Sequence, residues 1–224
     1  MTVILGIDTA TSGCAAALVS DNQCLAVRSE RMVRGQSEVL APMIEGVIRD
    51  SGMPVSGIDA VAVTRGPGAF TGLRIGLAYA RAFALTLDRP CLGIGTFDVL
   101  AAQARRSGIA TASDVLLIAI ESKRAELYVA SYTPDGQIIG VPQARLPADI
   151  AAFLGNGSRV AIAGDAREKA AVALRGDFAV SLVTDTCVAD AEIVATIAVR
   201  YLGAPSEAPP SPLYLRPPDV TLQS

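Results

Sequence analysis

Residues 3–29 read VILGIDTATSGCAAALVSDNQCLAVRS. Residues 3–7 are an unbroken apolar run of buried-strand length. Residues 15–19 form a second such run, Asp21-Asn22 is a turn signal, and residues 24–29 read as a third strand. Three neighbouring strands joined by tight turns predict an antiparallel meander at the start of the chain.

Helix and strand patterns alternate after the meander. An amphipathic helix fits residues 37–51, because Leu40, Met43, Ile44, Val47 and Ile48 recur at helical spacing. Ser37 is its expected N-cap and Gly52 its stop. A strand over 59–64, a helix over 71–87, a strand over 91–94 and a helix over 97–106 complete a first cycle. The second cycle starts near Asp114, with strands over 115–120, 126–132 and 137–141 and a short helix over 148–154. It continues with a strand over 160–163, a helix over 167–174, a strand over 179–183 and a helix over 191–202. The order strand-strand-strand-helix-strand-helix thus occurs twice without repeated sequence. It points to an α/β protein with the duplicated ribonuclease-H-like fold of the actin-like (ASKHA) class, two lobes with mixed sheets flanked by helices. The lobes are expected at residues 1–110 and 111–203. Residues 204–224 hold six of the thirteen prolines and cannot be regular helix or sheet. Leu213, Tyr214 and Leu215 favour a docked strap over a disordered tail.

Composition narrows the chemistry. With 224 residues, 51% hydrophobic and 18% charged, the chain can bury a core and is too apolar for disorder. The formal net charge of −3 gives no bulk nucleic-acid signal, although 17 of the 19 basic residues are Arg. There is no histidine. A Ser-His-Asp triad, a Cys-His pair and a His-ligated metal are therefore excluded, and no metal is expected. Any general acid or base would be Asp, Glu, Lys, Tyr or Cys. Cys14, Cys24, Cys91 and Cys187 are scattered, with no C-x-x-C pair. They read as reduced core thiols, which suits a cytoplasmic protein. The first eight residues lack the basic segment of a signal peptide, and no apolar run reaches the ~18–20 residues of a membrane span.

Four stretches carry possible chemistry. Asp8-Thr9-Ala10-Thr11-Ser12-Gly13 lies between two strands, where actin-like folds place an acid and a hydroxyl-rich phosphate turn. Asp8, Thr9, Thr11 and Ser12 are the candidate nucleotide-binding residues. Ala10 stands where close phosphate approach favours glycine, and a hairpin satisfying its own backbone is the competing reading. The longest motif is Arg65-Gly66-Pro67-Gly68-Ala69-Phe70-Thr71-Gly72-Leu73-Arg74. Pro67-Gly68 reads as a type II turn with φ > 0 at Gly68, and Thr71 as the N-cap of the next helix. Arg65 and Arg74 could hold an anion at that helix start. Within the helix, Gly72, Gly76, Ala80 and Ala84 form a ridge of small side chains that lets a second helix approach. The other faces are nearly all apolar, so more than one face must be covered, by the first helix or by a partner protein. Finally, Glu121-Ser122-Lys123-Arg124-Ala125-Glu126 supplies an acid without a glycine-rich loop and reads as a solvated hairpin.

Taken together, Ile7-Asp8-Thr9-Ala10-Thr11, the stretch from Arg65 to Arg74 and Pro212-Leu213-Tyr214-Leu215-Arg216 resemble the TsaB (YeaZ) family of bacterial tRNA threonylcarbamoyladenosine (t6A) biosynthesis proteins. Ala69 stands where that family usually has Ser, and Glu121-Ser122-Lys123-Arg124 where it often has Asp-Ala-Arg. The resemblance implies an actin-like fold and a non-catalytic partner of TsaD, the paralogue that modifies adenosine 37 of tRNAs reading codons that start with A. It also implies the ATPase TsaE as a third component, with tRNA met through the complex. The paralogue holds its metal with a His-x-x-x-His pair on its first helix. Here that stretch is about Gly35–Leu40 and has no histidine. Family pairing through the first two helices would fall on Leu40, Met43, Ile44 and Val47, and on Leu73, Gly76, Leu77 and Ala80. The same surface implies a homodimer when the partner is absent. No cofactor is expected from this reading. The alternative is an actin-like ATPase or small-molecule kinase using Asp8 and Glu121, with ATP or ADP as ligand.

Overall fold

The computed structural model describes residues 1–154, 159–203 and 208–215. The first sheet is built from β1 (Val3–Asp8), β2 (Gly13–Ser20), β3 (Gln23–Arg31), β4 (Ala60–Gly66) and β5 (Cys91–Gly95), in the order β3-β2-β1-β4-β5. The second uses β6 (Val115–Glu121), β7 (Leu127–Tyr132), β8 (Ile138–Arg145), β9 (Arg159–Ala163) and β10 (Ala179–Leu182), in the order β8-β7-β6-β9-β10. The two orders are the same. In each, the first three strands pair antiparallel and the last two add parallel. This is the duplicated ribonuclease-H-like, actin-like architecture that the repeated element order predicts.

The helices are α1 (Gln36–Ser51), α2 (Phe70–Leu87), α3 (Thr96–Arg106), α4 (Ile150–Leu154), α5 (Arg167–Leu174) and α6 (Ala191–Ala198). β1 is apolar throughout because both its faces are covered. Val3, Leu5 and Ile7 pack with Leu40, Ile44, Leu77 and Ala80 of α1 and α2. Ile4, pointing the other way, joins a core with Phe97, Leu116, Ile118 and Ile193. That central core lies between the sheets and includes α3 and α6. A third core sets Ile150 and Ala170 of α4 and α5 against Leu117 and Ile162 of the second sheet. The division at residue 110 therefore separates the sheets but not the packing, for α6 follows the second sheet and lies against β1 and β2.

Several helix ends differ from the sequence reading. α1 begins at Gln36, with Gly35 at the N-cap at φ 93°, so Ser37 lies inside the helix. α2 begins at Phe70 with Ala69 at the N-cap, so Thr71 is not the cap either. In neither helix does a side chain accept from the first turn. α6 stops at Ala198 and continues only as a single 3₁₀ turn over Val199–Tyr201. β8 runs on to Arg145, beyond the expected 141.

Residues 208–215 dock as a strap. The Leu213 N–H donates to the Arg65 carbonyl at 2.7 Å, and Arg81 Nε donates to the Pro210 carbonyl at 2.9 Å. Leu215 packs against the central core. Pro205, Arg216, Pro217 and Pro218 lie outside the described residues. No described helix is long and apolar enough to cross a membrane.

Candidate functional site

Asp8 ends β1 and is fully buried. Its carboxylate accepts from the Thr64 and Thr11 hydroxyls, each at 2.6 Å, and from the Ala10 N–H at 3.1 Å. Burial raises its pKa, while those hydrogen bonds pull the other way. The Thr11 hydroxyl also accepts from the Ala189 N–H at 3.0 Å. Thr9 donates to the Gly72 carbonyl at 2.7 Å, and Ser12 to Asp165 at 2.6 Å. All four residues of the candidate nucleotide turn are thus bonded to their own chain. Asp165 was invisible in the sequence, since nothing marks a lone acid after β9. It ties the halves together, because its other oxygen accepts from the Glu121 N–H at 2.8 Å.

The Arg65–Arg74 loop lies on this turn. The Ala69 N–H donates to the Ala10 carbonyl at 2.8 Å. A Cβ on Gly68 would meet that same carbonyl oxygen at 2.2 Å, and one on Gly72 would meet the Thr9 carbonyl oxygen at 2.0 Å. The glycines serve close approach of the chain to itself. The left-handed residue is Gly66 (φ 115°), followed by a cis bond to Pro67. Gly68 is not left-handed, so the type II turn is corrected. Of the loop's side chains, Phe70, Thr71 and Arg74 are exposed and Arg65 is half-buried. The Arg74 guanidinium sits 3.8 Å above the Phe70 ring, and Tyr214 of the strap stacks on that ring at 5.6 Å. The Arg74 guanidinium is thus drawn into loop and strap contacts, whereas Arg65 meets the strap through its backbone carbonyl.

The helix residues expected to meet a partner are placed differently. Leu40, Met43, Ile44 and Val47 of α1 are 0–7% exposed, and Leu73, Leu77 and Ala80 of α2 are 0–2% exposed. Gly76 is buried as well. A helix lying on a sheet turns its most regular apolar stripe inward, so these side chains line the chain's own core and cannot themselves form a surface. The small-residue ridge is corrected in the same way. It seats α2 on its own sheet, for a Cβ on Gly76 would meet the Thr9 hydroxyl at 2.4 Å and Val63 at 3.4 Å. The outward face of α2 is Ala78, Ala82 and Leu85, with Ile75, Tyr79 and Phe83 half-buried beside it. Tyr79 and Phe83 stack at 5.8 Å, and Leu85 is 81% exposed. Sequence spacing contained this second face, but only packing shows which face is spare.

Glu121 ends β6 and accepts a charged hydrogen bond from Lys169. Burial raises its pKa, but Lys169 and the Lys123 N–H outweigh it, and the net shift is downward. It is held as an ion-paired carboxylate rather than as a proton carrier. Cys14 is pushed up to about 12 by burial and the charges of Asp8 and Glu30, and Cys91 to about 11 by burial. Neither is a thiolate nucleophile. All four cysteines are free thiols, and the described residues contain no group of three His, Cys, Asp or Glu side chains suited to a metal.

Residues 27–196 match the family model described as TsaD: tRNA N6-adenosine threonylcarbamoyltransferase. The chain is 38% identical over 132 residues to the tRNA threonylcarbamoyladenosine biosynthesis protein TsaB of Escherichia coli K12, a match covering 59% of this chain and 55% of that protein. The chain thus matches little more than half the length of that relative. An uncharacterised protein of Mycobacterium tuberculosis H37Rv is 34% identical over 98% of this chain and 94% of its own length. The solved structure of YeaZ from Pseudomonas aeruginosa superposes with a TM-score of 0.80 at 26% identity, covering 96% of this chain and all of that one (100%). The chain belongs to the family of the tRNA N6-adenosine threonylcarbamoyltransferase TsaD, and it is similar to the TsaB and YeaZ proteins just named.

Proposed function

We propose that this chain is a non-catalytic subunit in t6A formation at position 37 of tRNAs reading codons that start with A. It binds and supports a TsaD-like catalytic paralogue, acts with a TsaE-like ATPase, and meets tRNA through that complex in the cytoplasm. The observation that carries the reading is the spare apolar face of α2, where Ala78, Ala82 and Leu85 are exposed beside Tyr79 and Phe83. Contiguous exposed apolar surface of this kind marks interaction sites. When the paralogue is absent, the same face favours a homodimer.

The absence of catalysis rests on chemistry. The chain has no histidine to hold the paralogue's metal. Asp8 is sealed behind Thr11 and Thr64, and the motif loop fills the space above the β1–β2 turn. These features support a reading without a resident cofactor, against the ATPase or kinase alternative. The test is calorimetry of the isolated chain with ATP and magnesium, beside co-purification with the paralogue. Complex formation without nucleotide turnover is expected, and Asp8-dependent ATP hydrolysis by the chain alone would overturn the proposal.

A further inference from the structure

A groove of about 870 Å³ opens between the entry to α1, the start of α2, the β6–β7 turn and the strap. Its basic lining residues are Arg34, Lys123 and Arg124, and its rings are Phe70, Tyr128 and Tyr214. Among the described residues, no Asp or Glu lines it. That is a local departure in a chain with 22 acids and 19 bases. Arg34, Lys123 and Arg124 are exposed at the surface. The turn that carries two of them is fixed, because the Lys123 N–H donates to Glu121 at 3.1 Å and the Arg124 N–H to Ser122 at 3.1 Å. The rings are also positioned. Tyr214 stacks on Phe70 while the strap is hydrogen-bonded to Arg65, and both rings keep more than a third of their surface exposed (50% for Phe70, 39% for Tyr214).

We propose that this groove binds a short single-stranded RNA segment directly. Cations at the rim of a groove suit phosphates, and the face of Tyr214 turned away from Phe70 offers a base a stacking surface. A duplex hides the base faces that such rings would contact, so a single strand fits and a duplex does not. The contact goes beyond the assembly role, in which tRNA is met through the complex. Only the choice of RNA over DNA rests on that role. None of Asp8, Thr9, Thr11 and Ser12 lines the groove, so it is separate from the candidate nucleotide turn.

The test is fluorescence anisotropy of a fluorescein-labelled ten-adenosine RNA with the isolated full-length chain. Saturable binding is expected, with a log–log salt slope of about −1.4 for two phosphate contacts, at Arg34 and Lys123, at ~0.7 each. Arg34→Glu combined with Lys123→Asn should weaken it at least about tenfold and flatten the slope by about 1.4. Asn tolerates the left-handed backbone of Lys123 (φ 62°), so the fold is spared. Tyr214→Ala should weaken binding about fivefold or more with the slope unchanged. Absence of binding, equal binding by both variants, equal affinity for AMP, or equal affinity for a ten-deoxyadenosine strand would each overturn the proposal. Failure here leaves paralogue binding untouched, and loss of paralogue binding with RNA binding intact sinks only the assembly role.

Discussion

Thr9 and Gly72 lie 63 residues apart and lock together. The Thr9 hydroxyl donates to the Gly72 carbonyl at 2.7 Å, and the Thr9 carbonyl oxygen occupies the space a Gly72 Cβ would need, 2.0 Å from it. α2 is thereby seated on the β1–β2 turn. The small-residue ridge and the hydroxyl-rich turn are two sides of one contact.

Substitution at the ridge should separate two kinds of clash. Gly72→Ala meets a backbone carbonyl and should cost about 1–3 kcal/mol of stability despite its gain in helix propensity. Gly76→Ala meets the Thr9 hydroxyl instead. Thr9→Ala should therefore relieve Gly76→Ala and leave Gly72→Ala unrelieved. Urea denaturation of both double-mutant cycles reads this directly.

The buried Asp8 predicts a pH signature. Its pKa lies above the ordinary 3.8 because burial disfavours the charge. The folded chain then holds that proton more tightly than the unfolded chain, so the Asp8 contribution to stability falls as pH rises through a window opening at about 3.8. Asp8→Asn removes the titration. Relative to Asp8→Asn, the wild type should lose stability as the pH rises above about 3.8, and parallel melting curves would refute the buried-charge account.

The two faces of α2 should respond oppositely. Leu73→Ala empties a buried site and should cost about 2–5 kcal/mol. Ala78→Arg lies on the exposed face and should change stability by no more than about 0.5 kcal/mol. Thermal melts distinguish them before any partner is added.

Arg81 should act as the clamp of the strap. Its guanidinium reaches the Pro210 carbonyl through both Nε and a terminal nitrogen. Arg81→Gln should raise hydrogen exchange at the Leu213 amide, which bonds Arg65, by about tenfold, equivalent to the ~1.4 kcal/mol within reach of one charged hydrogen bond. Unchanged exchange would show that the strap is held without it.

Much of the architecture was legible because hydrophobic period and turn chemistry act locally. The opening meander and the doubled element order both stand. The helix starts were misread at Ser37 and Thr71 because Gly35 and Ala69 occupy the caps without a side-chain acceptor. The residues expected to dock are buried in the chain itself, and the reason is different. Periodicity identifies an apolar stripe such as Leu40, Ile44, Leu73 and Leu77, but whether a stripe is spare depends on what packs over it, and here the chain's own sheet does. Asp165 and Arg81 left no signal, since each acts on a backbone or side chain far away in sequence. The motif at Arg65–Arg74 was recognisable as a unit, yet its glycines gained their reason only once Thr9 and Ala10 were seen beneath them.

Docking of this chain on a catalytic paralogue is proposed to use the exposed apolar face of α2. Sedimentation velocity of the purified chain mixed with its TsaD-like paralogue tests it most directly. The account predicts a stable heterodimer with the wild type, and its loss with Ala78→Arg while folding is kept. A heterodimer that forms equally well with Ala78→Arg, or no association of the wild type, would contradict it.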